Sequence, residues 1–304
     1  MNSATFKSGF VTIVGRPNVG KSTFLNHVLK TKIAITSDKA QTTRNKIQGI
    51  YTTKEEQIIF IDTPGIHKPL HELGKMMNKM SLSSLHYVDL VLFMVDATVP
   101  PGKGDEFIVE AIKNADVPTV LVLNKVDLCK DIVRLNQDID AYRAMYPFVG
   151  GITISAQEDF NIDNLIKMII QHLSVGPLFY PKDQVTDHPE RFIVSELIRE
   201  KVLQLTKEEI PHSVAVAIES FEVDPENSNR IDIMATIVVE RTSQKKIIIG
   251  KGGDLIKQIG TLARKDISLF LGAKVHLELW VKVEENWRNK KSQLRDLGYN
   301  LEEY

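Results

Sequence analysis

Residues 10–29 read FVTIVGRPNVGKSTFLNHVL, and they carry the strongest indication of the fold. An apolar run that predicts a strand leads into GRPNVGKS, which matches the pattern GxxxxGK[ST], and a helical stretch follows at once. Glycines let backbone N–H groups turn inward around phosphate oxygens, and the helix start adds the positive end of its dipole. The lysine can reach the β- and γ-phosphates, and the serine can bind magnesium. The predicted nucleotide-phosphate site consists of Gly15, Asn18, Val19, Gly20, Lys21, Ser22 and Thr23.

A second motif, Asp62-Thr-Pro-Gly65, closes the apolar run at residues 58–61. An acid at a strand end near a phosphate loop is placed to hold the metal ion through water. The glycine that follows can offer its backbone N–H to the γ-phosphate. We therefore predict that Asp62 and Gly65 act on the metal ion and the γ-phosphate.

A third motif, Asn124-Lys-Val-Asp127, follows the predicted strand 119–123 and identifies the base. Guanine presents its N1–H and N2–H₂ donors side by side, and the Asp127 carboxylate can accept both. Adenine has no N1–H, so the desolvated carboxylate would lose a partner at a cost of about 10² to 10⁴ in affinity. Lys125 can cover the base with its aliphatic stem, and Ser155-Ala156 can offer a backbone N–H to guanine O6. The motif predicts GTP and GDP as ligands.

These motifs each follow a strand, at the edge where open α/β sheets bind ligands. In their order and spacing they resemble the Era family of GTPases, and the resemblance extends over nearly the whole chain. It implies that Gln41-Thr-Thr-Arg-Asn45 is a switch segment in which a threonine closes on magnesium. Thr42 and Thr43 are both candidates, and Thr43 is favoured. The predicted catalytic residues are Lys21, Thr43, Asp62 and Gly65, and the predicted metal ligands are Ser22, Thr43 and Asp62.

Ile66 follows the second motif, where Ras-like enzymes place a water-orienting glutamine. Isoleucine has no hydrogen-bonding side chain, so it cannot orient water. Arg16 and Arg44 are candidate arginine fingers that nothing in the sequence singles out. We therefore expect slow hydrolysis, with the water held by backbone groups, ions or a partner.

The second half of the chain points to a nucleic acid. Gly250-Lys-Gly-Gly253 resembles the GxxG loop of KH domains, which clamps the backbone of single-stranded nucleic acid. Between Lys245 and Arg295 there are 12 Lys plus Arg against 5 Asp plus Glu, a local charge of +7 in a chain of net charge −1. The resemblance to Era implies binding to the 3′ end of small-subunit ribosomal RNA and a role on the pre-ribosomal 30S particle. By this resemblance the predicted RNA-binding residues are Gly250, Lys251, Gly252, Gly253, Lys257, Lys282, Trp287 and Arg288, with a core or hinge position as the equal alternative for Trp287.

The predicted architecture is α/β: a GTPase domain with a mostly parallel sheet over residues 1–174, a proline-containing linker over 175–190, and a KH-like α+β domain over 191–304. The single cysteine, Cys129, excludes an internal disulfide and fits a reducing compartment. No apolar run approaches the roughly 18 residues of a membrane span. We expect a soluble, monomeric, cytoplasmic protein, with peripheral contact at the inner face of the membrane left open.

Two functional hypotheses remain at this stage. The first is a GTP-driven, RNA-binding assembly factor. The second is a regulatory GTPase switch whose C-terminal domain binds a protein partner or the membrane surface.

Overall fold

The computed structural model describes residues 6–39, 41–227 and 229–299, and the chain forms two compact units. The first contains the residues up to Ala34, Thr43–Pro69 and Gly74–Asp187. The second contains Ile35–Thr42, Leu70–Leu73 and the residues from His188 onward. Two short segments from the first half of the chain therefore belong to the second unit.

A six-stranded sheet forms the centre of the first unit, in the order β2-β3-β1-β4-β5-β6. Only β2 is antiparallel to its neighbour. The strands β4 and β5 are apolar and buried along nearly their whole length, the pattern of parallel strands covered on both faces. The strands are β1 Lys7–Val14, β2 Ile47–Thr52, β3 Glu56–Asp62, β4 Leu90–Asp96, β5 Thr119–Asn124 and β6 Gly150–Thr153.

The helices that follow these strands are α1 Lys21–Leu29, α2 Glu72–Ser83, α3 Lys103–Ala115, α4 Ile132–Met145 and α5 Ile162–His172. Of these, α2, α3 and α4 connect parallel strands, α1 leads from β1 to the antiparallel β2, and α5 follows β6. In α5 the buried residues Leu165, Ile166 and Ile169 follow helical spacing and make one apolar face. In register, Ile13 pairs with Asp62, and Asp96 pairs with Asn124. The polar ends of these strands therefore meet at one edge of the sheet.

The segment predicted as a linker, residues 175–190, is largely bound to the first unit. Val175 forms a β-bridge with Lys7, and Thr186 forms one with Gly49. The buried amide of Gln57 accepts the N–H of Tyr180 at 3.0 Å and donates to its carbonyl at 2.9 Å. Proline has no N–H, and a segment without regular secondary structure needs hydrogen-bond partners elsewhere for its backbone groups. Here the two β-bridges and the side chain of Gln57 supply such partners.

The second unit has the element order helix, strand, strand, helix, helix, strand, with short helices added. Its sheet has the order β7-β8-β9; β7 and β8 are antiparallel, and β8 and β9 are parallel. The strands are β7 Ala215–Val223, β8 Arg230–Val239 and β9 Lys274–Val283. The helices are α6 Glu190–Leu205, α7 Ile210–Ser213, α8 Thr242–Ile249, α9 Asp254–Leu271 and α10 Lys291–Asp296. The α+β prediction for this half agrees with these elements.

Helix α8 was not predicted, because its apolar run at residues 246–249 gives no helical period. Its start is fixed by Gln244, whose Oε1 accepts the N–H groups of Glu240 and Arg241 at 3.0 Å each. A glutamine that reaches back to the residue before the helix satisfies donors that the helix leaves unpaired. The α8–α9 pair supplies the crossover that the parallel β8 and β9 need.

No helix within the described ranges is both long enough and apolar enough to cross a membrane.

Candidate nucleotide and nucleic-acid sites

The loop between β1 and α1 can follow its path only with glycine at two positions. A Cβ atom added at Gly15 would lie 2.2 Å from the carbonyl oxygen of Met94. At Gly20, where φ is +101°, it would lie 2.1 Å from Nδ2 of Asn124. The loop ends where α1 begins, at Lys21. The backbone is therefore curled in front of a helix N-terminus, the arrangement that binds phosphate.

Lys21 is buried inside this loop. Its Nζ donates to the carbonyls of Gly15 at 3.3 Å and Arg16 at 3.1 Å. Burial lowers the pKa of Lys21 to about 8, although the charge of Asp62 opposes the shift. An amine that is desolvated in this way gains from an anionic ligand, because the phosphate supplies the missing counter-charge.

Three oxygen-bearing side chains meet beside Lys21. Ser22 Oγ donates to Asp62 Oδ2 at 2.6 Å and lies 2.8 Å from Thr43 Oγ1. Burial raises the pKa of Asp62 to about 6, against the lowering effect of Lys21 and Ser22. Among the residues that the structure describes, Asp62 Oδ1 is buried without a hydrogen-bond partner. Two hydroxyls and an unsatisfied carboxylate oxygen fit Mg²⁺, which prefers oxygen ligands and keeps bound waters.

The two switch threonines have different surroundings. The hydroxyl of Thr42 donates to the carbonyl of Lys39 at 2.6 Å, whereas Thr43 faces Ser22. The geometry thus favours Thr43 over Thr42 for the metal, as the sequence did. Its role as a ligand stays a prediction.

The second motif approaches the phosphate loop closely. A Cβ atom at Gly65 would lie 2.6 Å from the backbone N and Cα of Pro17, so only glycine fits there. The next residue, Ile66, donates its N–H to the carbonyl of Gly15 at 3.3 Å, and its side chain is buried in a core cluster with Val14. The side chain of Ile66 therefore faces the core rather than a water molecule.

The base-recognition motif is held by Asn124. Its Nδ2 donates to the carbonyl of Val19 at 2.8 Å, and its Oδ1 accepts the N–H of Ala156 at 3.0 Å. The N–H of Ser155 is bonded to the carbonyl of Phe160 at 3.1 Å. A guanine O6 would therefore have to take the Ala156 N–H from Asn124. Asp127 is exposed at the same end of the sheet, on the 3-10 turn Val126–Leu128.

Sequence reasoning missed Asp96, which orients Lys125. Lys125 Nζ donates to Asp96 Oδ2 at 2.6 Å, while the backbone of Lys125 is left-handed with φ of 67°. Burial alone would raise the pKa of Asp96, but hydrogen bonds from Lys125 and Thr98 hold it below its ordinary value. The position of Asp96 at the end of an apolar strand, β4, was the one feature of the sequence that could have indicated this role.

The two candidate arginine fingers are engaged within the protein. Arg16 Nε lies 3.1 Å from Asp105 Oδ1 at the start of α3, and Arg44 is buried. Asp105, which the sequence did not single out, ties the phosphate loop to α3 through this contact.

In the second unit, the loop Gly250–Gly253 lies between α8 and α9. Gly250, Gly252 and Gly253 have φ of +77°, +63° and +86°. A Cβ atom at Gly250 would lie 2.8 Å from the N atom of Leu255, whereas at Gly252 and Gly253 it would meet nothing within 4 Å. Lys251 and Lys257 are exposed. The loop is therefore open to a phosphate backbone, with the start of α9 behind it.

Burial corrects one of the predicted RNA contacts, Trp287, while a second, Arg288, is bonded within the second unit and its role stays a prediction. Trp287 is fully buried; its Nε1 donates to the carbonyl of Ser213 at 2.9 Å, and its ring stacks on Tyr299 at 5.9 Å between centroids. Arg288 Nη2 donates to Glu240 Oε2 at 2.6 Å, and its side chain is 14% exposed. Both residues pack the second unit. Lys282 is exposed beside Glu284, so its role stays a prediction.

Comparison with known proteins identifies both domains. A model of the 50S ribosome-binding GTPase family matches residues 10–125, and a KH domain model matches residues 209–288. An Era variant from Aquifex aeolicus bound to GDP.AlF4- is 42% identical, with a TM-score of 0.94 over 97% of this chain and 100% of the other. Era in complex with MgGDPNP and nucleotides 1506–1542 of 16S ribosomal RNA matches with the same values. The chain therefore belongs to the Era family, in which a GTPase domain is followed by a KH domain.

Proposed function

We propose that this protein binds GTP with Mg²⁺, hydrolyses it to GDP and phosphate, and binds small-subunit ribosomal RNA. The observation that carries the first part is the meeting of Ser22, Thr43 and Asp62 beside the buried Lys21. Structures of Era with GDP.AlF4- and with MgGDPNP support the same ligands for this chain.

Each residue has a defined part in hydrolysis. Lys21 and the N-terminus of α1 bind the β- and γ-phosphates, and the N–H of Gly65 donates to the γ-phosphate. Ser22, Thr43 and, through water, Asp62 would hold Mg²⁺, which would neutralise charge that develops on the phosphates. Ile66 contributes no hydrogen bond, so hydrolysis is slow without a partner.

Base selectivity tests this part of the proposal. Purified protein is titrated with fluorescent GDP, which is then displaced by GTP, GDP, ATP or ADP. We expect the guanine nucleotides to compete about 10² to 10⁴ times better than the adenine nucleotides. Equal competition would overturn the proposal, because Asp127 would then not read the base.

The second unit binds RNA through the open loop at Gly250–Gly253. Its target in our proposal is the 3′ end of small-subunit ribosomal RNA, and its role is to assist assembly of the small subunit from the pre-ribosomal 30S particle. The Era complex with 16S nucleotides supports this target. Crosslinking in cells followed by mapping of the bound RNA is the test. Crosslinks that spread over unrelated RNAs would contradict it.

The bound nucleotide also controls RNA affinity in this proposal. The γ-phosphate and magnesium order the segment around Thr42 and Thr43, and hydrolysis releases it. RNA affinity is measured with a non-hydrolysable GTP analogue and with GDP. Equal affinities would remove this part of the proposal.

We further propose a monomeric, cytoplasmic protein that contacts the inner face of the membrane at most peripherally. The mass in solution from light scattering and the distribution between cytosol and membrane fractions test this. A stable dimer, or a membrane fraction that resists washing with salt, would contradict it.

A further inference from the structure

The segment Ile35–Thr42, just before the switch threonine Thr43, belongs to the second unit and is hydrogen-bonded to α6. At one end, the N–H of Thr36 donates to Glu200 Oε1 at 2.9 Å, and its hydroxyl lies 3.4 Å from the same oxygen. At the other end, Nη2 of Arg199 donates to the carbonyl of Thr42. Two consecutive residues of α6 therefore hold both ends of this segment.

Arg199 is fixed in its position. Its guanidinium is buried and forms a forked pair with Glu196, with Nε to Oε1 at 2.7 Å and Nη2 to Oε2 at 2.6 Å. Burial would lower the pKa of Arg199, but Glu196 raises it above its ordinary value, so the group stays charged. Within the described residues its Nη1 has no hydrogen-bond partner. The carbonyl of Thr42 is therefore, beside the carboxylate of Glu196, an important hydrogen-bond acceptor for this buried guanidinium.

Glu200 is fixed in the same manner. It is fully buried, and Lys201 Nζ donates to its Oε2 at 2.8 Å while also lying 2.6 Å from Asp266 Oδ2. Breaking one partner of such buried pairs is costly, since the other is left uncompensated. Both anchors are therefore held by buried ion-pair partners.

One peptide bond separates the anchored carbonyl from the metal site. The peptide is planar, so fixing the carbonyl oxygen of Thr42 also fixes the direction in which Thr43 leaves it. Thr43 Oγ1 lies 2.8 Å from Ser22 Oγ. The path from α6 to the metal site thus contains one hydrogen bond and one rigid peptide.

We propose that Arg199, assisted by Glu200, is a positioning residue for GTP hydrolysis that acts through Thr43. By holding the carbonyl of Thr42 it lowers the entropic cost of closing Thr43 on magnesium and the γ-phosphate. This inference rests on the proposed GTPase function. By linkage, bound Mg²⁺ and GTP in turn tighten the segment on α6.

A merely structural role for the Arg199 pair makes a different prediction. It would lower the free energy of unfolding and reduce every ligand affinity in proportion to the folded fraction. A positioning role affects only the state in which the switch threonine contacts the metal, which requires the γ-phosphate. The ratio of two affinities in one variant therefore separates the two roles.

The test uses the double variant Glu196→Gln/Arg199→Gln in the full chain, with Glu196→Gln as its matched control. The double variant removes both buried charges together, and the glutamine at position 199 is too short to reach the carbonyl of Thr42. The control keeps Arg199. Mg²⁺ affinity is measured with a non-hydrolysable GTP analogue and with GDP. We expect a loss of about 5- to 150-fold with the analogue in the double variant and no loss with GDP. The control should lose less with the analogue, because Arg199 loses its counter-charge there but keeps its bond to Thr42. An unchanged ratio of the two affinities would overturn the inference.

Arg199→Lys provides a second variant that keeps a cation for Glu196. Lysine lacks the forked donors that contact Glu196 and Thr42 together, so the same selective loss is expected. Each substitution is also made in a Thr43→Ala background. If Arg199 acts through Thr43, it causes no further loss there; additive losses would overturn the inference.

Failure of the proposed function would give a different result from failure of this inference alone. In that case the wild-type protein shows no magnesium-dependent binding of the GTP analogue. If only this inference fails, the wild type binds and the variants keep its ratio of affinities.

Discussion

Asn124 and Val19 are 105 positions apart in the chain, and the side-chain amide of Asn124 donates to the carbonyl of Val19 at 2.8 Å. The same side chain accepts the N–H of Ala156. One residue of the base-recognition motif therefore ties the phosphate loop to the loop that faces the base. Asn124 acts on the shape of the site, whereas Asp127 is exposed and is the residue predicted to read the base.

Asn124→Ala should weaken GTP and GDP to a similar extent. The substitution leaves the buried carbonyl of Val19 without its partner in the bound state, at a cost of about 1–3 kcal/mol. We expect affinity to fall about 5- to 150-fold for both nucleotides, measured by calorimetry. A loss confined to GTP would contradict the prediction, because Asn124 lies away from the γ-phosphate.

Asp127→Asn should change which base is bound. The amide can accept N1–H but cannot accept the second donor of guanine, whereas it can donate to the C2 carbonyl of xanthine. We expect GTP affinity to fall by about 10² to 10⁴ and xanthosine triphosphate to bind better than in the wild type. Competition assays measure both. Retained preference for GTP would show that other groups read the base.

Gly252→Asp should abolish RNA binding and leave GTP hydrolysis intact. The new side chain enters open space, and its charge repels phosphate. Gly252→Asn is the matched control, since it makes the same demand on the left-handed backbone without the charge. RNA retention on filters and the GTPase rate are measured for both. Similar loss in both variants would point to the backbone rather than to charge.

Magnesium binding should weaken in acid because Asp62 has a raised pKa of about 6 in the protein without ligand. Above that pH the carboxylate is ionised and available; below it a proton must leave before the ion is held. Mg²⁺ affinity with a bound GTP analogue should therefore fall by up to about tenfold for each pH unit below about 6. Asp62→Asn is the control, since it retains only the titration of the phosphates. Identical pH profiles would contradict the assignment.

Ile66→Ala should destabilise the protein without stopping hydrolysis. The buried side chain packs in the core of the first unit, so its truncation costs about 2–5 kcal/mol of unfolding free energy. Single-turnover hydrolysis at saturating GTP should stay within a few-fold of the wild type. A collapse of the rate in protein that is still folded would show that Ile66 acts in catalysis. Gly65→Ala, which places a Cβ atom against Pro17, should by contrast lower the rate.

The parts of this protein that depend on local spacing could be predicted from the amino-acid sequence. The phosphate loop, the acid at the end of β3 and the order of the motifs predict a nucleotide site, because a strand, a glycine turn and a helix are formed by neighbouring residues. Two further features could be predicted from local sequence in the same way. They are the absence of a glutamine at Ile66 and the GxxG loop at Gly250. Helix α8 was missed, since its start depends on one side chain that reaches back to two N–H groups.

The contacts between side chains that are distant in the sequence could be read only from the folded structure. Trp287 is an aromatic residue in a basic region, yet it is buried against Ser213 and Tyr299. The pairing of Asp96 with Lys125 and of Arg199 with the carbonyl of Thr42 joins residues that no spacing rule connects. The physical reason is that burial and long-range hydrogen bonds depend on how elements pack, whereas periodicity reports only which face of an element is apolar.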